Sequence, residues 1–269
     1  MEDNLEFAGY GFTGTELKWI AIITMLIDHI GASLLDWYAA YMPSGTGKEV
    51  LRSLISLVRG IGRLAFPLFI FLMVEGFFYT RSRARYLARL AMFTVISEIP
   101  FDLAFYLRRT DIQNHVWLRP QHQNVFFTLA IGFAAMWIIE ILRPKKWGME
   151  NWRSVAEALL RAVLCVAVAW GACRLANLLH TDYSWKGVSA IVAAYVIRLA
   201  GRTDLEIFGM LTFLLFSSRL EMAALADYGL ILRYNGQKGK VRSRWFFYCF
   251  YPCHLLLLGI LRVIFILPK

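Results

Sequence analysis

Runs of about 20 apolar residues recur along almost the whole of this 269-residue chain, and that pattern leaves few folds open. Inside a bilayer each backbone N–H and C=O must find its partner within the protein, so only helices and closed barrels span it, and runs this long are helices. Candidate spans cover residues 17–37, 61–79, 86–106, 124–142, 157–179, 185–200 and 245–267. Residues 204–233 hold room for two short spans that turn at Ser217, Ser218 and Arg219. The total is about nine spans, or about eight if one is re-entrant. No stretch between them is long enough for a core of its own, so residues 1–269 read as a single all-α, polytopic transmembrane helix bundle with some spans short or kinked. A hydrophobic content of 58% against 18% charged residues rules out an ordinary soluble domain of this length.

The first residues, MEDNLEFAGYGFTGTELK, are acidic and lack the basic start, short apolar core and small-residue cleavage site of a secretory signal. The first span is therefore expected to remain in the mature protein. Lys and Arg accumulate on the cytoplasmic side of membrane proteins. With the N-terminus inside, the inner connections carry the larger share, including Arg81, Arg83, Arg85 and Arg89, then Arg143, Lys145 and Lys146, then Lys238, Lys240, Arg242 and Arg244. A cytoplasmic N-terminus is the expectation. The net charge of +10 then reflects topology and contact with anionic lipid, and nucleic acid is not an expected partner.

Ionisable groups sit inside the apolar runs: Asp28, His29, Arg63, Glu75, Glu98 and Asp102. Each costs about 3 kcal/mol or more at bilayer depth unless it is paired or hydrated, so such groups mark a site. By helical rise Arg63 and Glu75 lie about 18 Å apart, and each needs a partner from another helix. His29 and Glu98 each lie about 18 Å from the inner ends of spans that run in the same direction, which makes them level. His29, Ser33 and Asp36 form one helical stripe, while Asp28 points about 100° away and is poorly placed to orient its neighbour. Glu98 is the better-placed carboxylate. Thr94, Glu98 and Asp102 repeat along the third span, with Pro100 between the acids to bend the helix.

A histidine held in one tautomer by a carboxylate can take a proton from an amine or hydroxyl. The run TRSRARYLAR has the guanidinium groups to hold the phosphates of an anionic donor such as a nucleotide-linked thioester. The competing readings are polar groups that only hydrogen-bond the bundle together and an arginine loop that only sets topology. His254, after Pro252, reads as a packing residue, and Asn124 as either a site residue or the N-cap of the fourth span. Cys165, Cys173, Cys249 and Cys253 form no CxxC pair, and no metal is expected.

The strings LKWIAIITMLIDHIG (17–31), IGRLAFPLFIFLMVEGFFYTR (61–81), RYLARLAMFTVISEIPFDLAF (85–105), QNVFFTLAIGF (123–133), DYSWKGV (182–188) and YPCHLLLL (251–258) resemble the TraX family, in the same order and over nearly the whole length. That family is named for the conjugative-plasmid protein that acetylates the N-terminus of pilin, and is related to multi-spanning acyltransferases that use acetyl-CoA. The DHIG block falls on Asp28, His29, Ile30 and Gly31, where His29 resembles the first-span histidine proposed as catalytic in related enzymes. The GR-AFP block gives Gly62, Arg63, Ala65, Phe66 and Pro67, followed by Glu75, Gly76 and Arg81. The SEIPFD block gives Ser97, Glu98, Pro100 and Asp102, and the QN block Gln123 and Asn124.

The resemblance implies a multi-pass acetyltransferase of the bacterial inner membrane with acetyl-CoA as donor. On that reading the donor's phosphates lie near Arg81, Arg83 and Arg85, with Glu75 on the same side, and its arm reaches up toward His29. His29, oriented by Glu98 and with Asp28 nearby, is the general base, and Arg63 or Asn124 steadies the oxyanion. Asp102, Gln123 and Asn124 fall on the acceptor side. The acceptor is an amine of a protein or peptide N-terminus, with a hydroxyl of a cell-surface glycan as the variant. A secondary transporter burying the same charges, or a noncatalytic assembly factor, are the other classes open to the sequence.

Overall fold

The computed structural model describes residues 11–144, 151–201, 203–215, 223–240 and 244–266. Thr13 starts the first helix, α1 (Gly14–Ile30), with a reciprocal cap. Its side chain accepts from the Glu16 backbone N–H, and the Glu16 carboxylate accepts from the Thr13 backbone N–H at 2.7 Å. A π turn over Gly31–Leu35 leads into α2 (Asp36–Tyr41), making Gly14–Tyr41 one span of 28 residues. Next, α3 (Thr46–Gly62) and α4 (Ala65–Tyr79) join through a tight turn at Arg63 and Leu64 into a unit of 34 residues. The expected second span, 61–79, is only the C-terminal half of it.

The polarity of α3 is turned inside out. Val50, Leu54, Leu57 and Ile61 are exposed to the surroundings, whereas Arg52, Ser56, Arg59 and, just past its end, Arg63 border a cavity in the bundle. By contrast α4 is apolar apart from Glu75, with Phe66, Leu68, Ile70, Phe71, Val74 and Phe77 all buried, and a helix of that kind takes the centre of a bundle.

The expected third span, 86–106, is two helices, α5 (Arg83–Ile96) and α6 (Glu98–Phe105), broken at Ser97. Pro100 lacks the N–H that would bond the Ile96 carbonyl, and its ring crowds that group. The chain therefore restarts with Pro100 in the first turn of α6, where no donor is needed. The bend comes before Glu98, and not between the two acids.

A short α7 (Arg109–Gln113) precedes α8 (Val125–Leu142), α9 (Trp152–Leu178), α10 (Ser184–Leu199), α11 (Thr203–Leu215), α12 (Ala226–Leu232) and α13 (Arg244–Phe265). Among the described residues five units are long and apolar enough to cross a bilayer: Gly14–Tyr41, Thr46–Tyr79, Val125–Leu142, Trp152–Leu178 and Trp245–Phe265. Eight or nine were expected. The difference arises because the break at Ser97 shortens α5 and α6, while α10, α11 and α12 run to only 16, 13 and 7 residues. The expected turn at Ser217 to Arg219 and the acidic residues 1–10 lie outside the described residues.

In the packed bundle α4 lies against α1 and α10, α8 against α5, α9 and α10, and α13 along α6 and α1. Arg262 of α13 is fully buried beneath the Trp37 ring and donates to the carbonyls of Leu103, at 2.9 Å, and Leu107. A cation thus closes the open C-terminal end of α6. On α9 only Ala158 and Ala176 are buried, and its outer face carries Leu159, Val163, Val166 and Trp170 toward the surroundings.

Candidate functional site

A cavity of about 1030 Å³ lies among α1, α3, α4, α5, α6, α8 and α13. Its wall runs from Gly14, Lys18 and Lys238 at one end, past Asp28 and His29, to Asp36, Trp37 and Arg52 at the other. By helical rise Lys18 to Asp36 is about 27 Å, close to the hydrocarbon thickness of a bilayer. The lining residues thus extend over much of the depth of the bundle.

At mid-depth His29 meets His254 of α13: His29 Nδ1 lies 2.7 Å from His254 Nε2. The ring planes are within 8° of parallel and the centroids 5.0 Å apart, the separation of two rings meeting edge to edge through one nitrogen each. On its other side His254 Nδ1 lies 2.7 Å from the Phe250 carbonyl oxygen. A carbonyl only accepts, so His254 Nδ1 carries the hydrogen, and in the neutral ring Nε2 is then an acceptor. His29 Nδ1 must donate to it, which leaves His29 Nε2 with its lone pair. Phe105 and Tyr251 stand edge-on to the His29 ring, at 5.3 and 5.8 Å between centroids, and fix its plane.

On the opposite flank Asp28 Oδ1 lies 3.5 Å from Arg59 Nε and 3.6 Å from Arg63 Nη2. Gly62 permits the approach: a Cβ there would sit 2.1 Å from the Asp28 Cβ. Asp182, in the turn before α10, completes the cluster. It is open to the cavity yet ringed by protein, and that enclosure pushes its carboxyl up to about 6, against the pull of Arg63 and helped by the negative charge of Asp28. From the ordinary value of 3.8 the folded protein holds this proton where the unfolded chain has lost it. The resulting stability is complete below about pH 4 and is lost as pH rises through about 6. Over that window the melting temperature of the detergent-solubilised protein should fall more steeply for wild type than for Asp182→Asn. Parallel curves would refute the assignment.

The structure separates other expected partners. Glu98 does not reach His29; its Oε2 accepts from Asn124 Nδ2 at 2.5 Å. Asn124 also caps α8, its side-chain oxygen accepting from the Phe126 N–H at 3.0 Å, and donates to the Thr94 carbonyl at 2.9 Å. Asp102 is buried and accepts from the Arg119 backbone N–H at 2.6 Å, and Gln123 donates to the Pro120 carbonyl. None of these four lies on the cavity wall. Glu75 does, but it is held by Arg198 of α10 at 2.5 Å. Arg81 and Arg85 are exposed at the α4–α5 turn, and Arg83 lies over the Phe77 ring at 4.2 Å, so the expected phosphate-binding trio is beside the cavity and not on its wall. The wall cations at that end are Lys18, Arg89 and Lys238.

The structure places Arg63 beside Asp28, and His29 beside His254, which reads from the sequence as a packing residue; Arg59 and Asp182 join them and are not among the expected site residues. The signal for His254 was present in the YPCHLLLL string.

A family model described as "TraX protein" matches residues 13–262, a stretch that contains every residue on the cavity wall. The chain belongs to the TraX family. A curated relative, the "Probable fimbrial assembly protein FimC, serogroup H1" of Dichelobacter nodosus, is 29% identical over 281 residues, covering 96% of this chain and 97% of its own. No solved structure matches.

Proposed function

We propose that this TraX-family protein is an integral-membrane acetyltransferase that moves an acetyl group from acetyl-CoA to the N-terminal amine of a protein such as a pilin. The observation that supports it most is His29 on the cavity wall, about 17 Å by helical rise from Lys18, with its Nδ1 held by His254. The lysine- and arginine-rich end faces the cytoplasm of a bacterial inner membrane, with the N-terminus on that side. His29 Nε2 takes a proton from the acceptor amine as its nitrogen attacks the thioester carbonyl carbon. Arg63 and Arg59 stabilise the oxyanion, a role that the capping position of Asn124 denies it. When the carbon–sulfur bond breaks, the departing thiolate recovers the proton from His29 Nε2. The imidazolium formed in between keeps its Nδ1–H on His254. The fimbrial name of the Dichelobacter relative favours a pilin as acceptor.

The test is transfer of radiolabelled acetyl from acetyl-CoA by the purified protein in lipid nanodiscs to a peptide with a free pilin-like N-terminus, beside the same peptide with its amine blocked. Label on the free peptide alone is expected. Label on hydroxyl-bearing glycan would change the acceptor class, and no thioester turnover above a His29→Ala background would leave the noncatalytic assembly reading.

A further inference from the structure

Three cations from distant parts of the chain meet at one end of the cavity: Lys18 from α1, Arg89 from α5 and Lys238 from the segment before α13. Aromatic rings lie among them. Arg89 sits 5.6 Å above the Tyr86 ring and 5.9 Å from that of Tyr248, and Lys18 is 5.6 Å from the Phe247 ring. The segment carrying Lys238 is pinned in place: the Phe12 N–H donates to the Arg233 carbonyl at 2.7 Å, the Gly14 N–H to that of Gln237 at 2.8 Å, and the Thr15 hydroxyl to that of Lys238 at 2.8 Å. Gly239, the next residue, sits at φ +73°, a left-handed conformation that glycine adopts without strain. Glu75, the carboxylate on the α4 wall, is engaged by Arg198, so this end keeps its positive balance.

We infer that this end of the cavity is the seat of the donor's nucleotide, with Lys18, Arg89 and Lys238 on its phosphates and Tyr86, Phe247 and Tyr248 as the aromatic wall beside the base. The assignment rests on the acetyltransferase reading above and replaces Arg81, Arg83 and Arg85 as the phosphate site. Multiple cations match a diphosphate with a further phosphate on the ribose, and an aromatic wall matches a purine. The distance fits as well. Lys18 to His29 is about 17 Å by helical rise, a length suited to an extended pantetheine arm. Met25, Phe69, Leu72 and Met73 line the way and present an apolar sleeve to such an arm.

The experiment titrates the full-length detergent-purified protein with acetyl-CoA, with S-acetylpantetheine and with adenosine 3′,5′-bisphosphate as competitor, by calorimetry. Lys18→Ala, Arg89→Ala and Lys238→Ala should each weaken acetyl-CoA about tenfold and leave S-acetylpantetheine unchanged, with Arg161→Ala as a neutral control. In wild type the bisphosphate should displace acetyl-CoA, and less so as salt rises, a reading independent of how any variant folds. Equal acetyl-CoA affinity in a variant lacking all three cations, or a loss confined to Arg81→Ala and Arg85→Ala, overturns this assignment while sparing the acetyltransferase reading. No acetyl-CoA binding by wild type overturns both.

Discussion

His254→Ala should lower the rate of acetyl transfer about tenfold to a hundredfold while leaving acetyl-CoA affinity near that of wild type, and His29→Ala should lower it about a thousandfold. The difference follows from the roles. His29 Nε2 would touch the reacting atoms, whereas His254 is a positioning residue that accepts from His29 Nδ1 and so keeps the lone pair on Nε2. Without His254 the His29 ring is free to adopt the other tautomer, and the imidazolium formed during transfer loses its hydrogen-bond partner. His254→Gln separates this role from packing, because the glutamine side chain can bring a carbonyl oxygen to the place of Nε2 and accept the same hydrogen. It should recover a substantial part of the rate that alanine loses. The measurement is single-turnover transfer of labelled acetyl together with equilibrium donor binding. Equal rates in His254→Ala and wild type would remove His254 from the mechanism, and equal loss in the alanine and glutamine variants would reduce it to a packing residue.

What the sequence made legible follows from what its periodicities encode. Hydropathy over a run of residues reports length in lipid, so α8, α9 and α13 stand close to their expected limits. The same measure passes over α3, because Lys48, Glu49, Arg52 and Arg59 interrupt its apolar residues, yet Val50, Leu54, Leu57 and Ile61 fall at helical spacing on one face. Depth arithmetic places two residues at one level but says nothing of the azimuth of either helix. Equal height, with Asp28 turned away, is all that sets Glu98 beside His29 in the sequence, and Glu98 turns toward Asn124. The true partner of His29 is 225 positions away, a separation that no local pattern reports. Arg63 illustrates the partial case. The need for a partner on another helix was readable from burial cost, and the structure supplies it as Asp28.

Gly62→Ala should be the most disruptive single-methyl change at the site, because the added carbon would lie 2.1 Å from the Asp28 Cβ. That neighbour is fixed to the α1 backbone and is not the tip of a flexible side chain, so relief requires α3 to move off α1 as a body. Overpacking of this kind costs about 1–3 kcal/mol, and here the displacement also opens the contacts of Asp28 with Arg59 and Arg63. Stability and transfer should fall together. Gly60→Ala provides the comparison within the same helix: nothing stands within 4 Å of its added carbon, so the gain in helix propensity, about 0.5–1 kcal/mol, should appear unopposed. Thermal melts in detergent should therefore move in opposite directions for two identical chemical changes two positions apart, with acetyl transfer lost only in Gly62→Ala. If the two variants melt alike, the close approach of α1 and α3 at Gly62 does not hold the cluster together. If Gly62→Ala melts early but transfers acetyl at the wild-type rate, the Asp28, Arg59 and Arg63 cluster supports the fold alone, and oxyanion stabilisation has to be sought on another part of the wall.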